Sequence, residues 1–180
     1  MNRNAGDIHR ERREGLPPVI GPDPAVLILG SFPSVRSLAA GEYYAHPHNA
    51  FWRIMGAIGC ADPDAPYTRR CASLAGCGIA LWDVVASCRR EGSGDAQIRD
   101  AVPNDIARLV DGHRGIRIIA LNGKSGAERW LKHFFPDLVS AERPAVVTLP
   151  STSPANARLT LEAKITAWRV VAHAARPPRL

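Results

Sequence analysis

The chain has 180 residues, 46% of them hydrophobic, enough for one compact domain whose core needs no metal or disulfide staple. Its 23 Lys and Arg outnumber 17 Asp and Glu, a formal charge of +6 that favours a polyanionic partner without requiring one. No stretch is apolar for long enough to span a bilayer, and Arg3, Arg10, Arg12 and Arg13 occupy the region where a signal peptide needs an apolar run, so a cytoplasmic protein is expected.

Residues 1–17 are polar and mixed in charge, and Pro17, Pro18, Pro22 and Pro24 punctuate the approach to the first apolar run; the segment 1–17 reads as a flexible lead-in to one domain over 18–175. The run Ala25 to Leu29 is continuously apolar and stops at Gly30, the pattern of a strand buried on both faces of a parallel sheet. Phe51, Ile54, Met55 and Ile58 then recur at helical spacing. Ile79 to Val85 reads as a second strand, Ile106, Leu109 and Val110 as a helix face, and Ile116 to Leu121 as a third strand. Ala127, Trp130, Leu131 and Phe134 predict another helix, Ala145 to Leu149 a fourth strand, and Leu161, Ile165, Trp168 and Ala172 a last helix. The tail 176–180 contains two prolines and two arginines and is expected to fray. Strands alternating with amphipathic helices predict an α/β fold built on a central, mainly parallel four-stranded sheet with right-handed crossovers.

Cys60, Cys71, Cys77 and Cys88 invite a zinc or iron–sulfur reading, but they form no C-x-x-C pair. Reduced, unliganded thiols are expected, with no metal and no disulfide.

Parallel sheets of this kind bind ligands at the carboxyl ends of their strands, which points to the loops after Leu29, Val85, Leu121 and Leu149. The first begins Gly30-Ser31-Phe32-Pro33-Ser34 and runs on through Tyr43-Tyr44-Ala45-His46-Pro47-His48-Asn49-Ala50-Phe51-Trp52, a connection too long to be idle. It contains neither G-x-G-x-x-G nor a P-loop lysine, so no nucleotide cofactor is expected. His46 and His48 have no carboxylate near them in sequence and do not read as a metal pair.

G-S-F-P-S at 30–34 and H-P-H-N-A-F-W at 46–52 stand in the connection after the first strand, and L-P-S-T-S-P-A-N at 149–156 follows the fourth. Together these motifs resemble the uracil-DNA glycosylase superfamily over roughly residues 25–172, the scale of one domain. The resemblance implies a three-layer α/β sandwich and a monofunctional enzyme that hydrolyses the N-glycosidic bond of a flipped, deaminated base. It further implies DNA as the partner, no cofactor, no membrane and a monomer. The departures are informative. Phe32 stands where the classical uracil branch has an aspartate and the mismatch-specific branch an asparagine, and Leu149 stands where classical members have a histidine. The pattern is most similar to the hypoxanthine-DNA branch, in which the polar task passes to the asparagine of the N-x-F-W run, here Asn49. A mismatch-type uracil glycosylase and a noncatalytic DNA-binding relative are the alternatives.

Hydrolysis of an N-glycosidic bond passes through an oxocarbenium-like sugar, so the protein must orient water, stabilise positive charge and assist the departing base. A neutral amide is no strong base, but its carbonyl can hold water and place a negative dipole near the cation. Asn49 is therefore the catalytic candidate; it also precedes a helix and suits an N-cap. Ser31, Phe32, Phe51 and Asp83 are implied around the base. Phe51 is either the stacking ring or the first member of a core stripe. Asp83 either reads N1–H of the base or caps a turn through Ser87. Tyr44 and His46 are candidates either to line the pocket or to touch DNA, and Lys124, Ser151, Thr152, Ser153 and Arg158 are candidates for DNA contact, with Pro154, Ala155 and Asn156 as the wedge.

Overall fold

A computed structural model describes residues 12–175 of the chain. Four strands, β2 (Val26–Gly30), β3 (Ile79–Asp83), β6 (Ile118–Asn122) and β7 (Ala145–Leu149), form a fully parallel sheet in the order β3-β2-β6-β7. β2 is buried along its whole length, as its uninterrupted apolar run requires. Its alternating side chains feed two cores. Val26 and Ile28 face a cluster with α2 (Phe51–Ala57), α3 (Tyr67–Gly76) and α7 (Leu161–Ala175). Leu27 and Leu29 face a second cluster with α4 (Ile106–Gly112) and α5 (Arg129–Phe134). The result is the expected three-layer α/β sandwich.

Three features depart from the sequence reading. First, the apolar run Ile79 to Val85 is not one strand: Val84 breaks it, and β4 (Val85–Arg89) leaves for a small antiparallel sheet with β1 (Arg13–Glu14) and β5 (Arg99–Pro103). Val84 and Val85 stay fully buried across the break, so hydrophobicity carries no mark of the change of sheet. Second, the part of the expected flexible lead-in that is described, residues 12–17, is docked. β1 pairs with β4, and the Leu16 carbonyl accepts from Trp82 Nε1 (3.1 Å) and from the Tyr43 hydroxyl (3.1 Å). Residues 1–11 and the tail 176–180, expected to fray, lie outside the described residues.

Third, the long connection after β2 contains α1 (Val35–Ala40), capped by the Ser34 hydroxyl on the Ser37 amide and stopped by Gly41 in the left-handed region. α6 (Pro136–Ser140) and α3 likewise carry too short or too polar an apolar stripe to be seen by periodicity. Cys60 belongs to one core cluster and Cys88 to the other, and no disulfide links the described cysteines. Among the described residues no helix is long and apolar enough to cross a membrane.

Candidate active site

A cleft of about 210 Å³ opens at the carboxyl ends of β2 and β6. Its walls are Gly30 to Ser34, the Tyr43–Asn49 loop, Asn122, the Ser151–Pro154 loop, and Ser93 and Asp95 from the connection between β4 and β5. Strand ends separated by more than a hundred residues are thus brought to one concavity by the parallel sheet.

Asn49 is half-buried on this wall. Its Oδ1 accepts a hydrogen bond from the Phe51 amide at 3.0 Å, and its own amide donates to the His46 carbonyl at 2.8 Å. The side chain therefore fastens the start of α2 and faces the cleft at once. A carbonyl oxygen has two lone pairs, and the bond to Phe51 uses one.

Phe51 does not reach the cleft. It is 0% exposed, packed edge-on against Trp52 (5.0 Å between centroids) and Trp168 (6.0 Å), and it belongs to the core. Tyr44, one of the rings that line the cleft, lies flat on Phe51 with centroids 4.0 Å apart and planes 22° off parallel. Of the two roles open to Tyr44, lining the pocket or touching DNA, the structure has it lining the cleft, in a left-handed backbone conformation (φ 55°) uncommon for an aromatic residue. Burial, helped by the charge of Asp83, pushes its phenol well above the ordinary range.

Asp83 sits directly behind Gly30. A Cβ on Gly30 would come within 2.3 Å of Asp83 Oδ1 and 3.3 Å of the Tyr44 hydroxyl, so only glycine lets these groups approach the strand end. Asp83 is 4% exposed, and its Oδ2 has no hydrogen-bond partner among the described residues. Desolvation, with a further push from Asp95 and an opposing pull from Arg90, raises its carboxyl to about 8. The alternative turn through Ser87 is not formed, since the Ser87 hydroxyl accepts from Arg12 and the Asp83 carbonyl accepts from Asn104 Nδ2 (2.8 Å).

Ser31 and Phe32 both line the cleft. The Ser31 hydroxyl donates to Asp95 Oδ1 at 2.5 Å. The Phe32 ring is 6% exposed and covered by the Arg90 guanidinium, 4.9 Å from its centroid, while Arg90 donates to the Pro33 carbonyl. Arg90 is thus a buried pin under the G-S-F-P-S turn.

Asn122 ties the walls together. Its Nδ2 donates to the Tyr44 hydroxyl (3.0 Å) and to Thr152 Oγ1 (2.9 Å), and its Oδ1 accepts from the Thr152 amide (2.9 Å). The Thr152 carbonyl in turn accepts from the Ala50 amide beside Asn49 (2.9 Å). Thr152 is 1% exposed and so is a buried anchor rather than a surface contact; Ser151, Ser153 and Pro154 line the cleft around it. His46 also lines the cleft, its Nδ1 accepting from the His48 amide at 3.2 Å. Pro154 and Ala155 are exposed at the rim, and Asn156 is held below by Lys164, whose Nζ donates to its carbonyl (2.8 Å). Lys124 and Arg158 are exposed outside the cleft.

A family model described as the uracil DNA glycosylase superfamily matches residues 17–172 of this chain. The chain belongs to that superfamily. It is 34% identical over 158 residues to a hypoxanthine DNA glycosylase of Methanosarcina barkeri, covering 87% of this chain and 96% of the relative. It is 36% identical over 149 residues to a hypoxanthine DNA glycosylase of Methanosarcina acetivorans, covering 82% and 90%. A solution NMR structure from Methanosarcina acetivorans, described as a candidate uracil DNA glycosylase, superposes with a TM-score of 0.76 at 33% identity over 92% of this chain and 100% of the other. Within this uracil DNA glycosylase superfamily fold, Arg36, Ser37, Ser93, Asp95 and Asn122 line the cleft without having been singled out by the sequence reading. Asn122 had a signal, a polar side chain closing a buried strand. Asp95 had none, because the polar Gly92-Ser93-Gly94-Asp95 run reads as an ordinary loop.

Proposed function

We propose that this protein removes hypoxanthine from DNA by hydrolysing the N-glycosidic bond of the flipped nucleotide, leaving an abasic site. The observation that carries the mechanism is Asn49: a fixed amide on the wall of the cleft that the G-S-F-P-S turn also lines, where Phe32 offers no polar side chain. Its carbonyl lone pair not used by Phe51 orients the attacking water. The choice of hypoxanthine rests on the two relatives that bear that name.

Asp83 supports the same reading. A carboxyl raised to about 8 is largely protonated at neutral pH, and a carboxylic acid offers one donor and one acceptor side by side. Hypoxanthine presents their complement, an acceptor at O6 beside a donor at N1–H. The acid's buried, unpaired Oδ2 is the kind of group a ligand edge completes. Asp83 lies behind Gly30, close to the Tyr44 hydroxyl, and does not itself line the cleft; in this reading the base reaches the carboxyl by displacing that ring. The Ser151–Pro154 loop, with hydroxyls and backbone amides at the rim, grips the flanking phosphates.

The test is release of free base, in the presence of a chelator, from duplexes containing deoxyinosine, deoxyuridine, deoxyxanthosine or a thymine mismatch. Hypoxanthine release and alkali-sensitive abasic sites are expected, with no strand nicking before alkali. Preferential release of uracil would replace hypoxanthine as the substrate, and intact strands throughout would make the protein a noncatalytic DNA-binding relative.

A further inference from the structure

Asp95 is the only carboxylate among the described residues that line the cleft. It comes from the first position of a 3-10 turn (Asp95–Gln97) in the connection between β4 and β5, 64 residues from Ser31, which donates to its Oδ1. Its other oxygen is seated against Gly126 in the π-helical turn Gly123–Glu128 after β6. A Cβ at Gly126 would come within 2.1 Å of Asp95 Oδ2, so the missing side chain is what admits the carboxylate. Three separate segments therefore converge to hold one acidic group, half-buried, in the wall of the cleft.

The reaction supplies the reason. As the bond from C1′ to the base nitrogen breaks, its electron pair leaves with the base and positive charge develops on the sugar ring. A neutral amide such as Asn49 offers a dipole to that cation; a carboxylate offers a full charge, and in a cleft partly shielded from water the difference is large. Phe32 leaves the usual turn without a charged or polar side chain, and the neighbouring Ser31 instead reaches for a carboxylate brought by another loop.

We propose that Asp95 is a catalytic residue: its carboxylate faces the sugar, stabilises the oxocarbenium ion and accepts a proton from the water that Asn49 orients. The water oxygen bonds to C1′, one of its protons passes to Asp95 and onward to solvent, and the departing purine takes up a proton from solvent. This inference rests on the glycosylase reading above.

Asp95→Asn tests it, because an asparagine carbonyl still accepts from Ser31 and fits the same space. Single-turnover release of hypoxanthine should fall roughly 10²-fold or more, the size expected for losing a positioned proton acceptor. Affinity for uncleaved DNA should hold or rise, since a negative charge facing phosphates has been removed. A merely structural Asp95 would instead weaken binding, or leave both quantities alone. Gly126→Ala, which pushes the carboxylate out of its seat without removing it, should lower the rate in the same direction. The proposal is overturned if the wild-type protein releases hypoxanthine and Asp95→Asn releases it within about threefold of that rate, the Asn variant being folded by its circular dichroism. A wild-type protein that releases no base would refute the glycosylase reading instead.

Discussion

The wall of the cleft and the layer buried behind it are built differently. On the side of Asn49, Asn122 and Thr152, side-chain amides and backbone groups are paired with one another: Asn122 alone bonds to Tyr44 and twice to Thr152, and Thr152 bonds back to Ala50. On the side of Asp83 and Arg90, polar atoms are buried without partners: Asp83 Oδ2, Arg90 Nε and Arg90 Nη1. An unpaired buried polar atom costs on the order of 1–3 kcal/mol, so folding favours the first arrangement and tolerates the second. The paired side has the character of a scaffold that fixes geometry, and the unpaired side that of a buried layer whose polar atoms folding has left unsatisfied among the described residues.

The largest effect should come from the paired side. Asn49→Ala removes the amide proposed to orient water and, on that proposal, should lower single-turnover excision by roughly two or more orders of magnitude, with little change in DNA affinity. Because Oδ1 also fastens the Phe51 amide, the same change should destabilise the fold by about 0.5–2 kcal/mol. Asn49→Ser restores that bond without the reach of the amide. It should be stable and still slow; wild-type excision by the Ser variant would take Asn49 out of the mechanism and leave it a helix fastener.

On the unpaired side, the carboxyl of Asp83 is raised from 3.8 to about 8, so between these values the folded state holds a proton that the unfolded state has lost. Stability of the free protein should therefore be greatest below about pH 4 as far as this group is concerned, and should decline as pH rises toward 8. Asp83→Asn should flatten that decline, measured by denaturant unfolding at a series of pH values. An identical slope in both proteins would mean that Asp83 is not held in its neutral form.

The smallest effect concerns the link between walls. Asn122→Ala strands the Tyr44 hydroxyl and the Thr152 amide and should cost about 1–3 kcal/mol of stability. Hydrogen exchange should quicken at Thr152 and its loop neighbours while β2 stays protected. Unchanged exchange in that loop would show the scaffold to be held by the Ala50 bond alone.

How far the sequence reaches can be judged from single residues. Val26, Leu27, Ile28 and Leu29 announce a doubly buried strand because each is apolar and none needs a partner beyond the sheet, so periodicity and composition were sufficient for the fold class. The motif spacing likewise led to Asn49 and Ser31 at strand ends, where the structure has them lining one cleft. Local pattern could not say which of two stacked aromatics faces the cleft. Phe51 and Tyr44 are close in the chain and both aromatic, and only the packing of α2 against Trp168 buries the first and leaves the second at the wall. The same limit hid the end of β3 at Asp83, because Val84 and Val85 remain equally buried after the chain changes sheet.

By itself, then, the sequence determined the parallel α/β core, the order of its strands along the chain and the loops that carry polar chemistry, all properties of short-range pattern. Only the tertiary structure decided that Asp95 meets Ser31, that Asn122 joins Tyr44 to Thr152, and that Asp83 is sealed behind Gly30. These contacts join segments tens of residues apart, and their strength depends on burial and on the absence of a competing side chain at Gly30 and Gly126, quantities that exist only once the chain has packed.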